Sequence, residues 1–371
     1  MRIPSASSRS DVSPEWLARL TAFCGLDSPT GDAAALAHTA ALLANWGRAD
    51  GLEVEIRETP TGPIVVLVTQ GTGTARTLLI GHHDTVYPTG TATARPVRVE
   101  GDRVLGPGVA DMKGGLLVGL AALAALAADP TSTHGRVEFW IVPDEEARSD
   151  EPTCLDEWRG ADAAICLECG RADGSIVTSR MACTWLTLEA DGRAAHAGTE
   201  RDSGRSALMA LTREALRIED TLHAARPGLQ ATITELHGGI GKNTVPAHAA
   251  ASVDLRAASV EDLRWATGIV GQFGEHDGVV VRRSDEPGFP PLTRDAALAE
   301  RTLALLESVG ARGSEVLAAG ASDGSWSSSL GVPTVDGLGP IGGGDHSPDE
   351  WIDATSVAPR IEVVRRLCQQ T

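Results

Sequence analysis

The segment Leu78-Leu79-Ile80-Gly81-His82-His83-Asp84 decides the fold, because an apolar run ends there in polar side chains. Two later runs end in the same way: residues 137–142 are followed by a cluster of three acids, and residues 163–167 are followed by Glu168. Short apolar runs of this kind are typical of buried strands. Ligands bind beyond the carboxyl ends of the strands in open α/β sheets, so we expect these polar side chains to meet at one sheet edge.

Helices and strands alternate through the first half of the chain. Apolar periodicity and cap residues predict helices over 14–23, 30–46 and 112–128, and strands over 52–56, 64–68, 78–80, 137–142 and 163–167. This alternation predicts an α/β fold with a largely parallel sheet that is covered by helices on both faces.

The pattern changes at about residue 182. Residues 182–283 predict the order strand (182–190), helix (203–224), two strands (230–237 and 248–256), helix (259–273) and strand (277–283), which is the ferredoxin-like arrangement. A Pro-rich, hinge-like stretch follows at 286–291, after which helices 294–308, 323–330 and 354–368 and strands 315–319 and 333–336 return to the first unit. Since 371 residues exceed one core, we expect a domain of residues 1–180 and 291–371 with an α+β domain, 181–290, inserted into it.

Composition limits the partners of this chain. There are 32 Lys and Arg against 50 Asp and Glu, and a net charge of −18 disfavours binding to nucleic acid or to anionic lipid. The longest apolar stretch, Leu116 to Ala128, is too short to span a bilayer, so we expect no membrane segment. The polar segment 1–12 lacks the features of a secretion signal, and six cysteines without a disulfide-framework spacing agree with a cytoplasmic location.

The polar residues at the predicted strand ends are of the types that bind zinc. His82 stands two residues before Asp84, a spacing that suits a histidine ligand and the carboxylate that orients its ring. Asp111 stands where a dinucleotide-binding loop would carry its third glycine, and a carboxylate there favours a metal over a pyrophosphate. Of the neighbouring Glu145 and Glu146, one could bind metal while the other takes a proton from water.

Ordered motifs along nearly the whole chain resemble the M20 family of metallopeptidases, in particular its glutamate carboxypeptidase-like branch. They are GHHDTV (81–86), GPGVADMKGG (106–115), DEE (144–146), the Glu168 segment, RAAHAG (193–198), KNTVPA (242–247), VDLR (253–256), GASDG (320–324) and GLGPIGGGDHSPDEW (337–351). The resemblance implies a phosphorylase/hydrolase-like zinc-peptidase catalytic domain with an inserted ferredoxin-like lid and dimerisation domain.

The same resemblance implies a role for each residue of a dinuclear zinc site. Asp111 would bridge the ions, His82 and Glu168 would complete one zinc site, and Glu146 and His346 would complete the other. Glu145 would be the general base and Asp84 would orient His82. Co²⁺ or Mn²⁺ could replace Zn²⁺, since imidazole and carboxylate ligands accept all three metals.

In the predicted inserted domain, the resemblance makes His196 the residue that reaches into the site of a partner subunit and stabilises the oxyanion, which implies a homodimer. Asn243 and Arg256 would contact a substrate carboxylate, although an ordinary salt bridge at a strand end explains Arg256 nearly as well. Gly320 and residues 342–344 would shape the pocket wall.

Three positions depart from the family pattern. Phe289 precedes Pro290 where relatives of the carboxypeptidase type often have arginine, and loss of a guanidinium would remove a clamp for an acidic side chain. Trp326 replaces a smaller residue and is expected to narrow the pocket. Arg148 replaces a glycine, for which the sequence offers no explanation.

Two alternatives remain open at this point. Gly320-Ala321-Ser322-Asp323-Gly324 reads as GxSxG between a predicted strand and helix, and Asp336 and His346 follow in the order used by serine hydrolases of the α/β type. A non-catalytic, dimeric protein that binds metal or ligand is the second alternative, since fold does not fix function.

The preferred interpretation is a zinc-dependent enzyme of the carboxypeptidase or aminoacylase type. Its expected substrate is a small N-acyl amino acid or a short peptide with a free carboxylate. The sequence leaves open the acyl group, the side chain recognised and the catabolic or biosynthetic role.

Overall fold

The computed structural model describes residues 12–148, 151–223 and 225–370. The predicted polar start of the chain, apart from Val12, lies outside the described residues. The helices are α1 Pro14–Cys24, α2 Ala33–Ala49, α3 Thr91–Ala94, α4 Gly114–Ala128, α5 Ala207–Leu222, α6 Val260–Val270, α7 Ala296–Ser308, α8 Gly324–Ser329 and α9 Val357–Gln370. The strands are β1 Glu53–Thr59, β2 Gly62–Gln70, β3 Arg76–His82, β4 Arg98–Glu100, β5 Arg103–Leu105, β6 Arg136–Val142, β7 Ala163–Cys166, β8 Ile176–Arg180, β9 Ala182–Asp191, β10 Gln230–Gly238, β11 His248–Ala257, β12 Val280–Asp285, β13 Glu315–Ala318, β14 Thr334–Val335, β15 Gly342–Gly343 and β16 Trp351–Asp353.

Polar caps set the first two helix starts. The Ser13 hydroxyl accepts from the Trp16 amide, as the Ser-Pro signal predicts. The α2 helix begins three residues later than predicted because Asp32 is its N-cap and accepts from the Ala35 amide at 3.0 Å. Gly31, with φ of 85°, turns the chain just before this cap.

A six-stranded sheet in the order β1-β2-β6-β3-β7-β14 carries the polar strand ends. The four strands from β6 to β14 are parallel, as predicted. The first two strands are antiparallel, because only Pro60 and Thr61 connect them and so short a turn cannot return the chain for a parallel pairing. The sheet is therefore mixed, and its parallel half brings the ends of β3, β6 and β7 together.

Apolar residues cover both faces of this sheet. Alternate residues such as Leu79, Phe139 and Ile165 pack into a core with α4, while their neighbours Leu78 and Trp140 pack into a second core on the opposite face. One described helix, Val109–Ala128, is long and apolar enough to cross a membrane, and 78% of its most apolar window is buried inside the protein. Such burial is that of a core helix.

A four-stranded antiparallel sheet in the order β10-β11-β9-β12, with α5 and α6, forms the expected ferredoxin-like unit. It has an apolar core of its own, in which Leu188, Leu211 and Val253 are fully buried. The residue limits 181–290 stay a prediction for the domain boundary. The sequence patterns did not reveal β8, which pairs with β13, or the small sheet β15-β16-β5-β4.

Gly115 allows α4 to approach the end of β7. A Cβ atom at Gly115 would overlap the backbone oxygen of Leu167, so Gly115→Ala should force the helix away and destabilise the fold by about 1–3 kcal/mol. The matched control is Gly268→Ala in α6, where no atom lies within 4 Å of a new Cβ and a gain of about 0.5–1 kcal/mol is expected. Equilibrium urea unfolding of both variants measures the difference; equal effects would contradict the close helix–strand contact.

Candidate metal centre

Two groups of potential metal ligands share one carboxylate. His82 Nε2 lies 3.0 Å from Asp111 Oδ1 and 3.8 Å from Glu168 Oε1. On the other side, His346 Nε2 lies 3.1 Å from Asp111 Oδ2 and 3.1 Å from Glu146 Oε2. In each group of three, the ligand atoms lie within 4.8 Å of one another. The grouping is the one that the sequence resemblance implies, with Asp111 in the middle.

The pKa shifts of the residues in this cluster are those expected of a site that binds divalent cations. Burial raises the pKa of Glu168 well above its usual value, and repulsion from Asp111 adds to the effect. Burial also raises the pKa of Glu146, and its Oε1 atom is buried with no hydrogen-bond partner among the residues described. Hydrogen bonds to Asp111 and Glu146 raise the pKa of His346 to about 11. A divalent cation on each side of Asp111 would neutralise these acids and use the unpartnered oxygen.

Asp84 fixes the orientation of His82 and of the following acidic turn. His82 Nδ1 lies 3.2 Å from Asp84 Oδ1, and the Thr30 hydroxyl donates to Oδ2 at 2.6 Å. The backbone amides of Glu145 and Glu146 donate to the same carboxylate at 3.2 and 3.1 Å. Burial would raise the pKa of Asp84, but the bonds from His82 and Thr30 lower it below its usual value. The carboxylate therefore stays ionised.

Glu350 holds the loop that presents Asp111, and the sequence did not single it out. Its carboxylate accepts from the backbone amides of Gly108, Ala110 and Asp111 at 2.8 to 3.0 Å, and from the Tyr87 hydroxyl at 2.7 Å. The one indication of Glu350 in the sequence is that an acidic residue stands four positions after His346, within a motif that resembles the family. The loop itself ends in a helix of the π type, Val109–Lys113, that leads into α4.

His346 is held in a backbone conformation that non-glycine residues rarely adopt. Its φ is 60°, in the left-handed region, which costs about 1–3 kcal/mol at a residue with a Cβ atom. Such strain persists where the surrounding structure requires it, and here it aims the imidazole at Asp111 and Glu146. This geometry supports a functional role for the position.

Glu145 points a free carboxylate into the same space. Its backbone is anchored on Asp84, yet its side chain makes no hydrogen bond or ion pair with any residue in the described ranges. Burial raises the pKa of Glu145 well above its usual value, while His82 lowers it and Asp323 raises it further. A carboxyl group with a raised pKa and no fixed partner can both accept and release a proton.

A cavity of about 440 Å³ opens onto these residues. Its lining comprises Asp111, Glu145, Glu146, Glu168, Cys169, Arg171, Arg180, Cys183, Trp185, Arg256, Phe289, Ala318, Ala319, Gly320, Ala321, Asp345 and His346. Phe289 lies edge-on to Trp185, with ring centroids 6.4 Å apart, and together they give one side of the cavity an aromatic surface. Trp326, expected to narrow the pocket, instead packs against Phe289 and lines a neighbouring cavity.

Arg180 and Arg256 both line the cavity with their guanidinium groups engaged. The buried Arg180 donates to Asp336 at 2.7 Å and to the carbonyl oxygen of Gly320 at 2.8 Å, so it fixes the loop that forms one wall. Arg256 donates through two nitrogens to Asp254, both at 2.9 Å, and through the third to the carbonyl oxygen of Ala319. The salt bridge that was the alternative explanation of Arg256 is present.

The unexplained Arg148 has a structural contact. Its guanidinium is 3% exposed and forms ion pairs with Asp144 and Asp323. It therefore neutralises two buried acids and ties the acidic turn after β6 to the start of α8. A glycine could not make this connection.

His196 and Asn243 lie outside the cavity lining, in adjacent loops of the ferredoxin-like unit. The Ala197 amide donates to the Asn243 carbonyl oxygen at 2.8 Å, and His196 pairs with Thr244. Both predicted residues are exposed. The action of His196 on the site of a partner subunit and the contact of Asn243 with a substrate carboxylate both stay predictions.

The geometry contradicts a serine hydrolase centred on Ser322. The Ser322 side chain is fully buried, and its hydroxyl donates to Asp336 at 2.5 Å. His346, the required base, bonds instead to Asp111 and Glu146. A nucleophile needs both an accessible oxygen and an imidazole beside it, and this serine has neither in the described structure.

Comparison with known proteins shows the family of this chain. Residues 78–370 match the model of peptidase family M20/M25/M40, and this match covers most of the chain. The fold and site thus define a metallohydrolase that acts on amide or peptide bonds. The chain belongs to peptidase family M20/M25/M40.

Individual relatives match most of the chain. It is 28% identical to carboxypeptidase G2 of Pseudomonas sp. (strain RS-16), over 96% of this chain and 89% of the relative. It is 29% identical to a putative succinyl-diaminopimelate desuccinylase of Mycobacterium tuberculosis, over 86% of this chain and 88% of the relative. Among solved structures, aminopeptidase PepT of Bacillus cereus superimposes with a TM-score of 0.80 at 20% identity, covering 96% of this chain and 98% of that one. This last likeness shows the shared fold.

Removal of the Glu350 carboxylate tests its hold on the Asp111 loop. Glu350→Ala leaves three backbone amides without an acceptor and should destabilise the protein by about 2–5 kcal/mol. Tyr87→Phe removes a single bond to the same carboxylate and should cost only about 1 kcal/mol. Urea unfolding of the two variants makes the comparison, and a Glu350→Ala protein as stable as Tyr87→Phe would rule out this anchoring role.

Proposed function

We propose that this protein is a dinuclear zinc-dependent hydrolase of the amide bond in a small N-acyl amino acid or short peptide with a free carboxylate. One observation carries the proposal: the carboxylate of Glu145, which has no partner among the residues described, lines the same cavity as members of the two ligand groups that share Asp111. His82 and Glu168 would hold one zinc ion with Asp111, and Glu146 and His346 would hold the other. Cobalt or manganese would fit the same donor atoms.

Bound zinc supplies Lewis acidity, which activates water and polarises the amide carbonyl. Within that setting, Glu145 removes a proton from the attacking water and later delivers it to the departing amine nitrogen. Asp84 keeps His82 oriented and holds the turn that carries Glu145 in place. Asp111, with both oxygens directed at opposite histidines, fixes the spacing of the two halves of the site.

The aromatic wall favours an apolar group on the substrate. Phe289 and Trp185 line the cavity, where the packed ring of Phe289 and the partly exposed ring of Trp185 form an apolar surface. The relatives are named as a carboxypeptidase, a desuccinylase and a deacetylase, all of which release an amine from an acyl group. We infer the same reaction here, on a substrate with an apolar side chain.

We also infer a homodimer formed through the ferredoxin-like unit. Strand β10 is at the edge of its sheet, which leaves its outer backbone groups open to pairing. Met209 and Leu216, seven residues apart on α5, are 50% and 58% exposed, and Ile240 beyond β10 is 94% exposed. A second copy would cover these apolar groups and bring its His196 towards the cavity.

Replacing Glu145 separates proton transfer from metal binding. Glu145→Gln should lower the hydrolysis rate constant by at least about 100-fold, because the amide cannot accept the proton. Elemental analysis should still find two zinc ions per chain, since Glu145 belongs to neither ligand group. Glu100→Gln removes the same charge from an exposed strand and should keep full activity. Unchanged hydrolysis by Glu145→Gln would refute the assigned base.

Phe289→Arg tests the apolar wall. A guanidinium at this position should raise kcat/KM for N-acyl glutamate relative to N-acyl phenylalanine by about 10-fold or more, through a new pairing with the acidic side chain. Kinetics over a panel of N-acyl amino acids with zinc-loaded protein measure the ratio. No shift towards acidic side chains would count against contact between Phe289 and the substrate.

A further inference from the structure

Arg171 is a cavity-lining cation whose guanidinium has no fixed partner. Arg180 and Arg256 line the same cavity, and each is held by a carboxylate and by backbone carbonyl oxygens. By contrast, Arg171 makes no side-chain hydrogen bond, ion pair or cation–π contact within residues 12–148, 151–223 and 225–370. Two of the three guanidinium groups thus have structural duties, and the third is free to bind.

The backbone beneath Arg171 is firmly held. The Arg171 amide donates to the Ser175 carbonyl oxygen at 3.1 Å, and the Gly174 amide donates back to Arg171 at 2.7 Å. The buried guanidinium of Arg360 donates to the Gly174 carbonyl oxygen at 2.8 Å and secures this turn from below. Arg171 follows the candidate ligand Glu168 by three residues, so the turn presents its side chain beside the metal centre. A fixed backbone with a free side chain suits recognition of a ligand.

The acidic lining of the cavity gives a free cation a specific role in binding an anionic substrate. Five carboxylates face the space, from Asp111, Glu145, Glu146, Glu168 and Asp345. A further carboxylate entering a partly desolvated site must be paired there to offset the loss of its hydration. Asp345 interacts electrostatically with Arg171 but forms no ion pair with it within 4.0 Å.

We propose that Arg171 binds a carboxylate of the substrate and so sets the preference of this enzyme for an acid over its neutral amide. The inference rests on the proposed function and deepens it, because it names the residue that binds the free carboxylate of the substrate. It gives Arg171 the contact that the sequence resemblance assigned to Arg256. The carboxylate is carried either by the amino acid or by the acyl group, and both would offer the same two oxygens to a guanidinium.

Steady-state kinetics with the zinc-loaded full chain provide the first test. The probes are N-acetyl-phenylalanine, with its carboxylate on the amine side, N-succinyl-phenylalanine amide, with its carboxylate on the acyl side, and N-acetyl-phenylalanine amide, which has none. Arg171→Gln should raise KM about 10- to 100-fold for one of the two acids, change kcat by less than about 3-fold, and leave the neutral amide unaffected. The acid that loses affinity identifies which end of the substrate Arg171 contacts.

Arg98→Gln is the matched control, since Arg98 is 61% exposed and its ion pair within the described ranges is a 3.8 Å contact to Glu100. It removes the same charge from the surface and should change none of the three KM values. Arg171→Lys keeps the charge without the two-pronged geometry and should recover part of the lost affinity. Thermal unfolding of Arg171→Gln should match the parent protein, because the side chain makes no hydrogen bond or ion pair with any of the residues described.

Calorimetric titration separates this inference from the proposed reaction. The zinc-loaded Glu145→Gln protein should bind N-acetyl-phenylalanine or N-succinyl-phenylalanine amide more tightly than the neutral amide, and adding Arg171→Gln should abolish that preference. Should the parent protein hydrolyse nothing while this Arg171-dependent preference persists, the proposed reaction fails and the carboxylate contact stands. An acid-over-amide preference that is the same with and without Arg171 would overturn the inference, even in an active enzyme.

Discussion

The buried carboxylate of Asp84 is the interaction on which the candidate metal centre depends. It joins the end of β3 to the turn after β6, because it contacts the ring of His82 and accepts from the amides of Glu145 and Glu146. The Thr30 hydroxyl adds a bond from the chain before α2. A buried anion with four donors cannot move without leaving charge unpaired, and that cost keeps the candidate ligand His82 and the proposed base Glu145 in one fixed relation.

Sheet geometry explains why part of this site could be predicted from the sequence. His82, Glu146 and Glu168 follow three neighbouring parallel strands, and an apolar run that stops at a polar residue marks such a strand end. His346 comes from a loop, where no periodicity applies, and only the resemblance of its motif indicated it. Asp111 was indicated also by its place in a glycine-rich loop, where a carboxylate favours a metal over a pyrophosphate. Their placement depends on Glu350 and on a left-handed backbone at His346, neither of which leaves a local signal.

The parts of the fold that the sequence did not reveal are held by distant contacts. Strand β15 has only two residues, too few to show an alternating pattern, and the neighbouring strand β16 supplies its hydrogen bonds. The helix α2 was expected to begin at Thr30, but the Thr30 hydroxyl donates to Asp84 and Asp32 is the N-cap of the helix. In both cases a contact with a residue distant in the sequence determined the local structure, and the local sequence pattern did not.

Contacts also divide the arginines around the cavity in a way that motifs cannot. Ion pairs with aspartates of the same chain neutralise three arginines, Arg148, Arg180 and Arg256. These ion pairs hold loops in place. A motif records that an arginine is present, but not whether its guanidinium is already paired. Recognition of an anion requires a guanidinium whose pairing is completed only by the ligand. For this reason, the proposal that Arg171 binds a substrate carboxylate rests on the absence of a partner for its guanidinium within the described structure. The resemblance to the family did not indicate this residue.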